Sequence, residues 1–94
     1  MEMVNEFKLS GLNRKEKTGI YATVSMENED WFHAHFDEAL FSIDRQYALF
    51  NYFKNGDDDV WKDNRNAKVV VRFNGWSTGN VPINPIVIDI KNIQ

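Results

Sequence analysis

The chain contains no cysteine, which excludes disulfide frameworks, thiolate zinc sites, iron–sulfur clusters and cysteine nucleophiles. Long apolar runs are also missing: none approaches the ~20 residues that a membrane-spanning helix requires. The first residues, Met1 to Glu6, have neither the basic nor the apolar segment of an export signal. A cytoplasmic protein that makes no membrane contact is expected. At 94 residues the chain can enclose one hydrophobic core and no second one, so a single domain over 1–94 is expected. With 43% of residues hydrophobic and 14% aromatic, that core can form despite 27% charge.

Charge is unevenly placed. Residues 1–26 carry four basic and three acidic groups, 27–63 carry three and ten, and 64–94 carry four and one. The middle segment therefore suits a basic partner and the ends suit an anion, although acids on a helix and a loop also serve simply as a solvated surface.

Hydrophobic period supplies the elements. Phe7 and Leu9 alternate with Glu6, Lys8 and Ser10, and Ile20, Ala22, Val24 and Met26 alternate with Tyr21, Thr23 and Ser25, which predicts two strands. The polar stretch Gly11 to Gly19 is too short for a crossover, so these strands form a hairpin with a basic tip. From Glu29 to Lys54, Phe32, Phe36, Leu40, Ile43, Tyr47 and Phe50 recur every three or four residues. That spacing predicts one helix of ~37 Å at 1.5 Å per residue, capped by Asn28 and stopped by Asn55-Gly56. A competing parse makes Trp31 to Phe36 a strand, because Trp31, His33 and His35 alternate with Phe32, Ala34 and Phe36. After an acidic loop at 57–63, Val69, Val71 and Phe73 and then Ile86, Ile88 and Ile90 predict two last strands. Gly75, Gly79, Pro82 and Pro85 shape an ordered but irregular link between them. The expected fold is α+β, a ββαββ two-layer domain with one long helix on a four-stranded antiparallel sheet. The alternative is an OB-like five-stranded barrel with one helix. The expected core is Phe7, Leu9, Ile20, Val24, Phe32, Phe36, Leu40, Ile43, Tyr47, Phe50, Val69, Val71, Phe73, Ile86, Ile88 and Ile90.

Few constellations carry chemistry. His33-Ala-His35-Phe-Asp37 has the spacing of a metal-binding loop and resembles the metallo-β-lactamase family in those five positions, but that family's next histidine is Glu38 here. On a helix, residues two apart point about 200° from each other, and on a strand no third or fourth ligand is identifiable. No metal or cofactor is expected. Asp57, Asp58, Asp59 and Asp63 lack the order of a calcium loop. Neither a nucleophile elbow nor a phosphate-binding glycine fingerprint occurs, so an enzyme is not expected.

The segment Val71 to Lys91 is similar to the closing hairpin of the OB domain in ATP-dependent DNA ligases, over 21 of the 94 residues. Val71, Arg72, Phe73, Trp76 and Pro85 carry the resemblance. The family's arginine two before the proline is Ile83 here, and its nucleotidyltransferase domain is absent, so the resemblance implies a fold and not ligation. An OB barrel would bind single-stranded nucleic acid through stacking and basic groups, and Lys8, Tyr21, Arg72, Trp76 and Lys91 are the candidates for that role.

The other candidate surface lies on the expected helix. Phe41, Arg45, Ala48 and Tyr52 follow the spacing of a second helical face, and aromatics with arginine have the composition of an interface centre. Together with Asp57, Asp58, Asp59 and Trp61 they suggest a small non-enzymatic protein-binding module. Its partner would be another protein or a second copy, as for an inhibitor or adaptor of phage or mobile-element type. The competing account is that the same chain folds over this face.

Overall fold

The computed structural model describes residues 1–55 and 58–94. It is α+β, with five strands and two helices in the order β1 (Met3–Lys15), β2 (Gly19–Ser25), β3 (Trp31–Phe36), α1 (Ile43–Asn55), α2 (Asp58–Asn64), β4 (Lys68–Phe73) and β5 (Ile86–Lys91). The strands close into a barrel in the order β1-β2-β3-β5-β4. This corrects the four-stranded antiparallel sheet under one long helix, and it agrees with the five-stranded alternative in strand number and closure while holding two helices. Every pairing is antiparallel except β3 with β5, where His35 faces Ile86 and Phe36 faces Val87. No described helix is long and apolar enough to cross a membrane.

The long helix fails because Phe32 and Phe36, four apart, satisfy a helical and an extended period equally. Ala34 decides between them. It is fully buried and sits opposite Ala22 across the β2–β3 ladder, a position a helix would have turned outward. Asp37 then ends the strand: its carboxylate accepts from the Ala39 N–H at 2.8 Å, and its carbonyl accepts from the Phe41 N–H at 2.8 Å. Ser42 caps α1, its Oγ accepting from the Arg45 N–H at 3.1 Å. Asn28, the expected cap, instead accepts from the Asp30 N–H at 3.0 Å and shapes the β2–β3 turn.

This phase break exchanges core residues. Leu40 and Ile43 are 53% and 51% exposed, whereas Phe41 is buried among Phe36 and the other barrel residues. A second exchange occurs in β5. An irregularity between Val70 and Val71 shifts the β4–β5 register, so Val87 and Ile90 face the interior while Ile86 and Ile88 stay half-exposed. A third correction concerns β1, which runs through most of the expected 11–19 tip. A bulge between Leu9 and Gly11 lets this 13-residue strand bend, pairing its first half with β4 and its second with β2. Gly19, at φ 79°, closes the shortened turn.

The expected acidic loop is helical from Asp58 on, with Asp58 and Asp59 in the first turn of α2 and Lys62 in the last. Gly56 and Asp57 lie outside the described residues. Asn64, buried at the end of α2, ties three segments together. Its amide donates to the Val60 carbonyl at 2.8 Å and to the Tyr52 hydroxyl at 3.2 Å, and its carbonyl oxygen accepts from the Gln94 N–H at 2.7 Å.

Candidate functional site

β2 and β3 pair with Tyr21 opposite His35, Thr23 opposite His33 and Ser25 opposite Trp31. Alternate residues on these strands, Ala22, Val24, Phe32, Ala34 and Phe36, are buried. The set that includes Tyr21, Trp31, His33 and His35 must therefore point outward. Four rings then follow one another along the outer face. Trp31 lies 5.0 Å from His33, His33 lies 4.5 Å from Tyr21, and Tyr21 lies 6.3 Å from His35, centroid to centroid. Trp31 is 61% exposed and both histidines are exposed as well. At one end the β1–β2 turn brings Arg14, Lys15 and Lys17 nearby; at the other the β2–β3 turn carries Glu27, Glu29 and Asp30. Asn13, beside Tyr21 on β1, accepts from the Thr23 hydroxyl at 2.7 Å, and Ser10 and Ser25 share a hydrogen bond between their hydroxyls. Such contacts hold the strand edges beneath the rings in one register.

Of the residues proposed from sequence for nucleic acid, only Tyr21 belongs to this ladder. Arg72 on β4 donates to the Asp37 carboxylate at 3.0 Å, and Lys91 on β5 pairs with Glu6 at 3.1 Å. Lys8 points outward from β1 between Ser25 and Lys68. Trp76, in the β4–β5 loop, stands against Phe7 and Phe73. Trp31, His33 and His35 were missed as stacking groups; their alternation in the extended parse was the signal. As strand neighbours the histidines share a face, yet among the described residues no group of three or more His, Cys, Asp or Glu gathers to hold a metal ion.

The proposed helix face is divided. Phe41 is interior, with the Arg45 guanidinium 4.4 Å above its ring. Arg45, Ala48 and Tyr52 remain exposed on α1, though the Tyr52 hydroxyl donates to the Gln94 carbonyl at 2.5 Å. Trp61 on α2 reaches the Phe53 ring at 6.1 Å, and Asp58 and Asp59 are exposed beside it in sequence. Asp57 lies outside the described residues.

Among the described residues, Asp37 is the titrating group with the clearest perturbation. Its carboxyl is held below its ordinary value, first by the Ala39 N–H and then, against an opposing contribution from partial burial, by Arg72. A lowered folded-state pKa contributes stability above the unfolded value and loses it as pH falls through the folded one. Wild type is therefore expected to lose more thermal stability than Asp37→Asn between pH 5 and pH 2.5, measured by circular dichroism. Equal losses would show that the turn at Asp37 does not depend on its charge.

Compared with known proteins, the chain matches no protein-family model and no curated protein.

Proposed function

We propose that this protein is a non-enzymatic, cytoplasmic binder of single-stranded nucleic acid, with successive bases stacking on the outer face of β2 and β3. The observation that carries this reading is the outer-face ring series Trp31, His33, Tyr21 and His35, exposed except for the half-buried Tyr21, whose neighbours lie 4.5–6.3 Å apart. Stacking on such rings is sequence-tolerant because every base has a π-face. Barrel closure in the order β1-β2-β3-β5-β4, with helices between β3 and β4, supports it further. This is the arrangement of OB barrels, which use the face of their second and third strands for oligonucleotides and oligosaccharides. Lys15 and Lys17 at the β1–β2 end supply cations for phosphates, while the net charge of -3 keeps non-specific affinity low.

Fluorescence anisotropy with labelled oligothymidylate at 50 and 200 mM salt tests the reading. Binding should appear at low salt, quench tryptophan emission and weaken at the higher concentration; duplex of the same length should bind less well. No anisotropy change at 50 mM salt would remove the proposal.

A protein partner is the second reading, and what favours it is the set Arg45, Ala48 and Tyr52, exposed together on α1 with Trp61 half-exposed on α2. The loss of Phe41 to the core takes away the centre of that patch.

A further inference from the structure

The strand register places one outward row across all five strands. Trp31 faces Ser25, Ser25 faces Lys8, Lys8 faces Lys68, and Lys68 faces Lys91. Three neighbouring strands thus present lysines side by side, an arrangement that destabilises a sheet unless something negative joins it. Glu6 answers Lys91. Among the described residues, no acidic group lies within ion-pair distance of Lys8 or Lys68. Next to this pair opens a groove of about 880 Å³, walled by β1, the β2–β3 turn and the β4–β5 loop. Trp76 stands in its wall, 42% exposed, with its ring 5.0 Å from Phe73 and 6.4 Å from Phe7.

That loop is rigid. The Asn74 N–H donates to Ile83, the Ile83 N–H to Gly75 and the Ser77 N–H to Val81, while Trp76 bridges to Pro82. An exposed indole on a braced loop, beside two unpaired ammonium groups, combines the two elements of nucleotide binding: a stacking plane and cations for phosphate. Lys8 lies two strands from Trp31, or about 10 Å at the usual strand spacing.

We propose that this groove seats a further nucleotide of the same single strand, its base against Trp76 and its phosphate between Lys8 and Lys68. This rests on the β2–β3 reading and extends it around the barrel. Glu27 and Glu6, the latter already paired with Lys91, also line the groove and confine the phosphate to the side of Lys8 and Lys68.

The test compares four- and eight-nucleotide oligothymidylates on wild type, on the double variant Lys8→Gln/Lys68→Gln and on Trp76→Ala. On wild type the octamer should bind at least tenfold tighter than the tetramer. In both variants the tetramer should bind as before and the octamer should lose that gain. For the lysine variant the octamer's logarithmic salt slope should also shrink by about 0.7, the value for one phosphate contact on a single strand. Arg45→Gln/Lys62→Gln removes the same charge from the helices and should keep the gain. Trp76→Ala also touches the core, so the lysine variant, which should melt no lower than wild type, decides where that chain fails to fold. An octamer gain that survives in the lysine variant overturns the groove while leaving the β2–β3 face standing. Tetramer binding that is indifferent to Tyr21→Ala overturns the face instead, and no binding of either length overturns both.

Discussion

Phe41→Ala is expected to destabilise the fold by about 3–5 kcal/mol, the range for truncating a buried phenylalanine. At 4–8 °C per kcal/mol for a domain of this size, the melting midpoint should fall by roughly 12–40 °C. The ring is 1% exposed, sits 5.0 Å from Phe36 and has a guanidinium over its outer face, so its removal leaves a cavity that the turn from Asp37 to Ser42 cannot refill without breaking its hydrogen bonds. Against a typical total stability of 5–15 kcal/mol, such a loss threatens folding at 37 °C. Leu40→Ala and Ile43→Ala, at half-exposed positions, should each cost about 1 kcal/mol or less. A continuous helical stripe from Phe32 to Phe50 demands the reverse order. Thermal melts of the three variants therefore separate a buried Phe41 from one that waits for a partner, and a Phe41→Ala midpoint close to wild type would contradict the core described above.

What the sequence made legible followed local period. Leu9, Ile20, Val24, Val69, Val71 and Phe73 each sit two apart from a further apolar residue on the same face, and all lie in the core. Phe32, Phe36 and Phe50 are interior too, although the first two belong to a strand and the third to a helix; a spacing of four cannot distinguish those elements. The break at Asp37 was hidden because a side-chain acceptor two residues before its donor leaves no mark on the hydrophobic pattern. The offset at Val70 and Val71 was hidden as well, since a bulge is a property of two paired strands. Barrel closure depends on β1 bending from one partner to another, which no single segment announces. The candidate site divides in the same way. Tyr21 and Trp76 were identified by residue type, but the Tyr21–His33 contact exists only through the β2–β3 register. The lysine row was half visible, with Lys8 and Lys91 noticed and Lys68, which joins them, not.

The double variant Tyr21→Ala/Trp31→Ala should lower affinity for oligothymidylate on the order of a hundredfold or more, because each base–aromatic stack is worth about 1–3 kcal/mol by alanine substitution. Folding should survive, since Trp31 is largely exposed and Tyr21 lies on the outer face, so the melting midpoint should move by only a few degrees. Tyr21→Phe/Trp31→Phe provides the sharper comparison. It keeps two π-faces and removes the phenolic hydroxyl and the indole N–H, so affinity should return to within a few-fold of wild type if stacking dominates. Persistent loss in the phenylalanine pair would mean that these side chains act as hydrogen-bond donors to a defined ligand. In that event a sequence-tolerant strand is the wrong occupant. His33, lying between both rings at 5.0 and 4.5 Å, adds an internal control. If a base intercalates along the ladder, His33→Ala should weaken binding less than Trp31→Ala, because imidazole offers the smaller stacking area and both larger planes remain. Equal losses would instead point to His33 as the anchor, and the ligand would then be recognised by the edge of a ring and not by its face.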